Sequence, residues 1–161
     1  MKIRKATSGD LEQVWEIFRE VIKTGDTYVF DPETPRQDLE KHWFAPYMHT
    51  YVLEEGEKIF GTYILKPNQI DQGAHVANGS YMVHPAGRGK GYGKAMGLHS
   101  LGEAKKIGFR AIQFNMIVST NTIAFELWRK IGFEVIGTVP EAFNHKTEGF
   151  VDAYIMYKKI S

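Results

Sequence analysis

The chain has 161 residues, 20 of them Lys or Arg and 19 Asp or Glu, a net charge of +1 and no cysteine. This length suits one domain, residues 1–161, with a single sizeable core, and the balanced charge gives no general pull toward nucleic acid or a membrane surface. The missing cysteines exclude disulfides, thiolate zinc sites and a cysteine nucleophile, and fit a reducing, cytoplasmic setting. Met1–Lys5 leads into a polar segment rather than an apolar signal core, and no apolar run approaches the ~18 residues of a membrane span.

Ile3 to Ala6 reads as a first strand. Ser8 and Asp10 then offer N-caps to a helix whose apolar stripe is Leu11, Val14, Trp15, Phe18, Val21 and Ile22 and which stops near Gly25. A loop over 26–35 precedes a second helix around Arg36–Trp43. Tyr51–Glu54 and Lys58–Leu65 flank Glu55-Gly56-Glu57 as a hairpin, and Ala74–Val83 is a strand that runs into a glycine-rich loop. Ala95, Leu98 and Leu101 carry the next helix, Gly108 caps it, and Ile112, Phe114, Met116 and Val118 alternate as a buried strand. Thr122–Ile131 is helical, and Phe133–Thr138 and Phe150–Lys158 are closing strands with a loop across 140–146. The order β-α-α-β-β-β-α-β-α-β-β describes an α/β chain without repeats or an interdomain linker.

The glycine loop follows a β-branched and aromatic run: Tyr81-Met-Val-His-Pro-Ala-Gly87-Arg-Gly89-Lys-Gly91-Tyr-Gly93-Lys94. A helix opening there presents unpaired N–H groups and a partial positive charge, which suits a phosphate. Gly89, Gly91 and Gly93 remove β-carbons that would keep a phosphate off the amides, while Arg88, Lys90 and Lys94 add charge. A Walker A loop is excluded, because Ala95 follows Gly93-Lys94 where Ser or Thr should hold magnesium and Arg88 stands where the first glycine should be. A Gly-x-Gly-x-x-Gly dinucleotide fingerprint is excluded too: frames from Gly87, Gly89 and Gly91 end on Tyr92, Lys94 and Met96.

What remains, Arg88-x-x-Gly91-x-Gly93, resembles the pyrophosphate loop of the GCN5-related N-acetyltransferase (GNAT) family, which binds acetyl-coenzyme A. A second stretch, Asn121-Thr-Ile-Ala124-Phe-Glu-Leu127-Trp128-Arg-Lys130-Ile-Gly132-Phe133, is similar to that family's Asn-x-x-Ala-x-x-Leu-Tyr-x-Lys-x-Gly-Phe segment. The resemblance implies a mixed, mostly antiparallel twisted sheet of about seven strands, splayed at the cofactor site. It also implies that the backbone of Tyr81, Met82 and Val83 pairs with the pantetheine arm, with the Val83 N–H polarising the thioester. The pyrophosphate would rest on Arg88, Gly89, Lys90, Gly91, Tyr92, Gly93 and Lys94, and Asn121 would contact the pantetheine, act as a plain N-cap, or do both.

Acetyl transfer by direct attack needs a route for the amine proton, donors at the oxyanion and a proton or dipole at the departing sulfur. Two family positions depart from that pattern. Trp128 replaces the tyrosine that commonly protonates sulfur, and an indole N–H can donate a hydrogen bond but not its proton; packing is its expected main role. Asn78 stands where members resembling phosphinothricin acetyltransferases carry a glutamate base. It can hydrogen-bond an acceptor's carboxylate or amine, as suspected in azetidine-carboxylate acetyltransferases, or simply pair within the strand. His84 reads as a solvated turn residue and His75 as facing away from Asn78. No His and carboxylate spacing suggests a metal.

Two polar-aromatic segments, Thr27-Tyr28-Val29-Phe30 and Pro140 to Lys146, occupy stretches that wall the acceptor groove in the family. Tyr28, Phe30, Asn78 and Phe143 would suit a small amine or amino acid. A protein N-terminus or polyamine is the alternative acceptor, and a catalytically weak coenzyme A sensor the alternative to an enzyme. A homodimer through exposed edges or the C-terminal strands is compatible with this architecture.

Overall fold

Capping and glycine placement set the helix limits. The computed structural model describes residues 1–161. Ahead of α1 (Leu11–Ile22), the Thr7 N–H donates to Asp10 Oδ2 at 2.7 Å, and the Arg4 guanidinium grips both Asp10 oxygens at 2.8 and 2.9 Å. A short 3-10 turn over Arg36–Asp38 leads to α2 (Leu39–Trp43). Gly91, with φ +79°, begins α3 (Tyr92–Ile107), and Asn121 begins α4 (Thr122–Ile131).

Seven strands form one sheet in the order β1-β2-β3-β4-β5-β7-β6, where β1 is Lys2–Lys5, β2 His49–Glu55, β3 Lys58–Pro67, β4 Val76–Val83, β5 Ala111–Val118, β6 Glu134–His145 and β7 Gly149–Lys159. Only β4 and β5 run parallel, and their pairing is three residues long, Val76↔Ala111, Ala77↔Ile112 and Asn78↔Gln113. Beyond Asn78, β4 continues beside β3 to Val83 while β5 continues beside β7 to Val118, so the sheet splits between them.

α1 and α2 cover one face of the sheet, where Phe18, Leu39 and Trp43 meet Val52, Ile64 and Met82. α3 and α4 cover the other, where Met96, Ala104 and Trp128 meet Tyr63, Ala77, Ile112 and Phe114. Strand alternation therefore puts Asn78 and Ser80 on the α1 and α2 face with Met82, and Gly79, Tyr81 and Val83 on the α3 and α4 face with Ala77. The two helices of that second layer meet at Gly97, where a β-carbon would lie 2.7 Å from Ile131 Cδ1 and 2.9 Å from Trp128 Cζ3.

The C-terminal hairpin differs from expectation. Pro140 to His145 belongs to β6 and not to a loop. The pairing with β7 skips between Val139 and Phe143; Pro140 has no N–H to give, Glu141 takes φ +49°, and its N–H turns to Asp152 Oδ1 at 2.9 Å. A bulge thus interrupts one long strand. The strand before the glycine loop starts at Val76, because Asp71–Gly73 closes a 3-10 turn first. No helix is long and apolar enough to cross a membrane.

Candidate active site

The split in the sheet leaves a row of unpaired backbone groups on β4. The His84 N–H donates to the Phe60 C=O at 2.7 Å, and the Arg110 N–H donates to the His75 C=O at 2.8 Å. Even-numbered residues of β4 thus turn their backbone groups toward β3, and odd-numbered ones turn theirs to the other edge. Past Asn78 that edge has no strand beside it, so Gly79, Tyr81 and Val83 face the gap. An extended chain carrying amides can add there as a strand would. In this structure the Tyr28 hydroxyl, from the loop after α1, donates to the Tyr81 C=O and accepts the Tyr81 N–H at 3.3 Å. Burial raises the pKa of this phenol, which keeps it protonated as a donor. Met82, expected at the same edge, turns its backbone to Thr62 of β3 and buries its side chain under α1.

Directly after β4 the chain makes a 3-10 turn over Pro85–Gly87, capped by His84 Nδ1, which accepts the Ala86 N–H at 3.0 Å. His84 also meets Glu16 at 3.2 Å, so it is anchored rather than free in solvent. Gly89 and Gly91 have φ of +77° and +79°, a region that L side chains seldom adopt. The N–H groups of Gly91, Tyr92, Gly93 and Lys94 take no part in the turn and cap hydrogen bonds, as expected for the first turn of α3. Arg88, Lys90 and Lys94 are exposed there, and none pairs with a carboxylate.

Two members of this loop have other duties as well. A β-carbon on Gly93 would lie 3.3 Å from Leu127 Cδ2, so its missing side chain also serves the packing of α3 on α4. The Tyr92 ring is buried against Phe60 and its hydroxyl donates to Glu55 Oε2 at 2.6 Å, which leaves only its N–H for a ligand.

Trp128 bridges the gap on the α4 side. Its ring centroid lies 4.6 Å from that of Tyr81 on β4 and 4.5 Å from that of Phe114 on β5. At 5 % exposure it is a packing residue first. Asn121 caps α4 by accepting the Ala124 N–H at 3.3 Å. Asn78 stands where the strands part, its Nδ2 donating to the Gln113 C=O at 3.0 Å. That bond holds the last rung of the parallel pair and leaves the side-chain oxygen free.

This geometry fits one kind of ligand. Four orphan amides among unpaired cations suit a diphosphate, and the open β4 edge suits an amide-bearing arm that runs from it. The sequence profile of the Acetyltransferase (GNAT) family matches residues 12–133, a span that holds both structures and the Asn121 to Phe133 segment. The chain belongs to the GNAT acetyltransferase family. The N-acetyltransferase aca1 of Schizosaccharomyces pombe is 30% identical, covering 83% of this chain and 72% of that relative. A GCN5-related N-acetyltransferase from Kribbella flavida is 40% identical and superposes with a TM-score of 0.92 over 98% of this chain and 96% of its own. The yncA structure from Salmonella typhimurium, solved with acetyl-CoA, shares the fold at a TM-score of 0.90 and 22% identity, covering 100% of this chain and 94% of its own. This GNAT chain is thus an acetyltransferase.

On the α1 and α2 side of the split, Phe30 packs between Phe18 and His42 at centroid distances of 5.0 and 4.7 Å and lies 6.5 Å from Tyr28. The tip of the β6–β7 hairpin is tied to the same loop, the Lys146 N–H donating to the Gly25 C=O at 3.1 Å. Phe143 is buried on that hairpin with His145 as its aromatic neighbour, so it belongs to the tethered wall and not to the Tyr28 and Phe30 cluster.

One arrangement gave no sequence signal. Tyr51, Tyr63 and Tyr81 are register partners on β2, β3 and β4, stacked at 4.7 and 5.3 Å. Their hydroxyls reach Glu103, His99 and Ser100 of α3 at 2.9, 2.7 and 2.7 Å. Burial raises the pKa of the Tyr81 phenol and lowers that of the His99 imidazole, so both are neutral near pH 7, Tyr81 linking β4 to α3 and His99 linking α3 to β3. The ladder joins the strand with the open edge to the helix with the orphan amides.

Proposed function

We propose that the enzyme transfers the acetyl group to the amine of a small, amino-acid-like acceptor by direct attack, without a covalent enzyme intermediate. Bound acetyl-CoA supplies an electrophilic thioester carbonyl and a thiolate leaving group. The amides of Gly91 to Lys94, with Arg88, Lys90 and Lys94, hold the diphosphate. Tyr81 and Val83 hold the arm along β4, and the Val83 N–H points from the open edge toward the carbonyl oxygen that gains charge. Asn121 caps α4 and offers its amide nitrogen to the arm.

The acceptor reading rests on one observation: Asn78, with a free side-chain oxygen, stands where β4 leaves β5, and the loop carrying Tyr28 and Phe30 folds against the same strand. Such a corner suits a small molecule. Asn78 cannot take the amine proton, and the Trp128 indole cannot return one to sulfur. Catalysis therefore comes from orientation and from the β4 amide: as the C–N bond forms and the C–S bond breaks, the thiolate, whose pKa is ~8.5 by analogy with cysteine, leaves unprotonated and the amine proton passes to solvent water.

Thiol release from acetyl-CoA, measured against a panel of amino acids, polyamines and short peptides, tests this reading. Acceptor-dependent release with amino acids supports it. Release with peptides or polyamines alone overturns the acceptor class.

A further inference from the structure

Lys66 is a half-buried cation without a counter-ion, and the acceptor reading above does not use it. Thr62, Ile64 and Lys66 alternate onto the α1 and α2 face of β3: Thr62 accepts the Trp43 indole N–H at 2.9 Å, and Ile64 is buried in the layer beneath α1. The next residue on that face, Lys66, is the direct register partner of Asn78. Side chains of directly opposed residues stand about 5 Å apart at their β-carbons, so the Lys66 stem and the Asn78 amide leave the sheet at one corner. None of the ion pairs in the structure includes Lys66.

The α2 side of that corner is aromatic, and the charges there, Lys41 and Asp38, pair with each other at 3.3 Å. Burial lowers the pKa of His42 of α2, with the Lys41 charge and, more weakly, the Lys66 charge adding to it against Asp38, so it stays uncharged near pH 7. Its ring packs on Phe30, which stacks toward Tyr28. Across the gap, β5 presents Gln113 and Asn115, with Gln113 Nε2 donating to Asn115 Oδ1 at 3.1 Å and Asn115 Nδ2 donating to Asn68 Oδ1 at 2.7 Å. A half-buried lysine beside an asparagine, with amides across the strand pair and no carboxylate within 4 Å, suits an anion.

From the geometry we infer that Lys66, with Asn78, binds the carboxylate of the acceptor and makes the enzyme specific for α-amino or α-imino acids. Asn78 and Tyr81 are three residues apart, about 10 Å along a strand. A lysine stem and a small acceptor together span that length: the carboxylate sits at the Lys66 end, and the nitrogen reaches the open edge at Tyr81 and Val83. This assignment rests on the amino-acid reading of the acceptor, and the two fail differently.

The test compares kcat/KM for the best amino acid of a standard panel with kcat/KM for its primary carboxamide, in the wild-type chain and in Lys66→Met, Lys66→Gln and Lys66→Arg. The wild type should prefer the carboxylate by about tenfold or more. Lys66→Met and Lys66→Gln should bring the ratio near one, Lys66→Arg should keep most of it, and the Kd for acetyl-CoA should stay unchanged in all three as the check of folding. If Lys66→Met and Lys66→Gln retain the wild-type ratio, the role given to Lys66 is wrong while amino acids remain the acceptors. If the wild type turns over only amines without a carboxylate, the acceptor class is wrong and the role of Lys66 with it.

Discussion

Tyr28→Phe should tighten acetyl-CoA binding. The Tyr28 hydroxyl donates to the Tyr81 C=O and accepts the Tyr81 N–H at 3.3 Å, and both groups lie on the edge of β4 proposed to take the pantetheine arm. Binding therefore has to displace the phenol. The 3.3 Å contact is at the long end for a hydrogen bond and adds little, so the loss amounts to one net interaction of about 0.5–1.5 kcal/mol. Phenylalanine keeps the ring beside Phe30 and removes only this competition, which predicts a Kd about 2- to 12-fold lower. Isothermal titration calorimetry reads that change. Thermal unfolding gives an independent check, because a chain of this size shifts by about 2–4 °C per kcal/mol: the free variant should melt lower than wild type, and the saturated forms should melt together. A Kd that is unchanged or higher in Tyr28→Phe would contradict displacement.

Three further outcomes follow from named contacts. Gly91→Ala puts a β-carbon at φ +79°, a cost of about 1–2 kcal/mol, and should raise the KM for acetyl-CoA about 5- to 30-fold with kcat little changed; steady-state kinetics at varied acetyl-CoA checks this. Trp128→Phe should lower the melting temperature yet leave kcat within about threefold and the pH–rate profile in place, since indole has no proton to give near neutrality; a lost alkaline limb would assign it an acid role. Asp10 has its pKa lowered, first by the Arg4 hydrogen bonds and then by the Thr7 N–H against the opposing effect of burial. Its contribution is therefore present above the unfolded carboxylate value of about 4 and lost as pH falls through the lower folded value. Urea unfolding at pH 7 and pH 3 should show Asp10→Asn less stable by about 1–3 kcal/mol at the higher pH and by a smaller margin at the lower.

Local chemistry made most of the frame legible. The Thr122–Ile131 helix and the Ala111–Val118 strand lie where caps and alternation put them, because Asn121, Gly132 and the apolar periods are all short-range signals. The β6 bulge was hidden since Pro140 and Glu141 read as loop residues, and only the long-range bond from the Glu141 N–H to Asp152 carries the strand through them. At the site, Gly89, Gly91 and Gly93 were readable from the motif, whereas the second reason for Gly93, the Leu127 contact, was not. Tyr28 and Lys66 show the limit most clearly. A tyrosine in a loop and a lysine on a strand look solvated in sequence, and both gain meaning only from register: Tyr28 across 53 residues to Tyr81, and Lys66 as the strand partner of Asn78. The tyrosine ladder is equally invisible, because three residues on three strands must align before their hydroxyls can meet α3.

The proposed reaction brings donor and acceptor together at the open edge of β4, and amide hydrogen exchange measures its occupancy residue by residue. The Val83 N–H faces the gap, while the Met82 N–H is already turned to β3. On saturation with acetyl-CoA, exchange at Val83 should slow by at least about tenfold and exchange at Met82 should stay as it was. Saturated binding that leaves the Val83 amide as exchangeable as in the free chain would contradict strand addition at this edge.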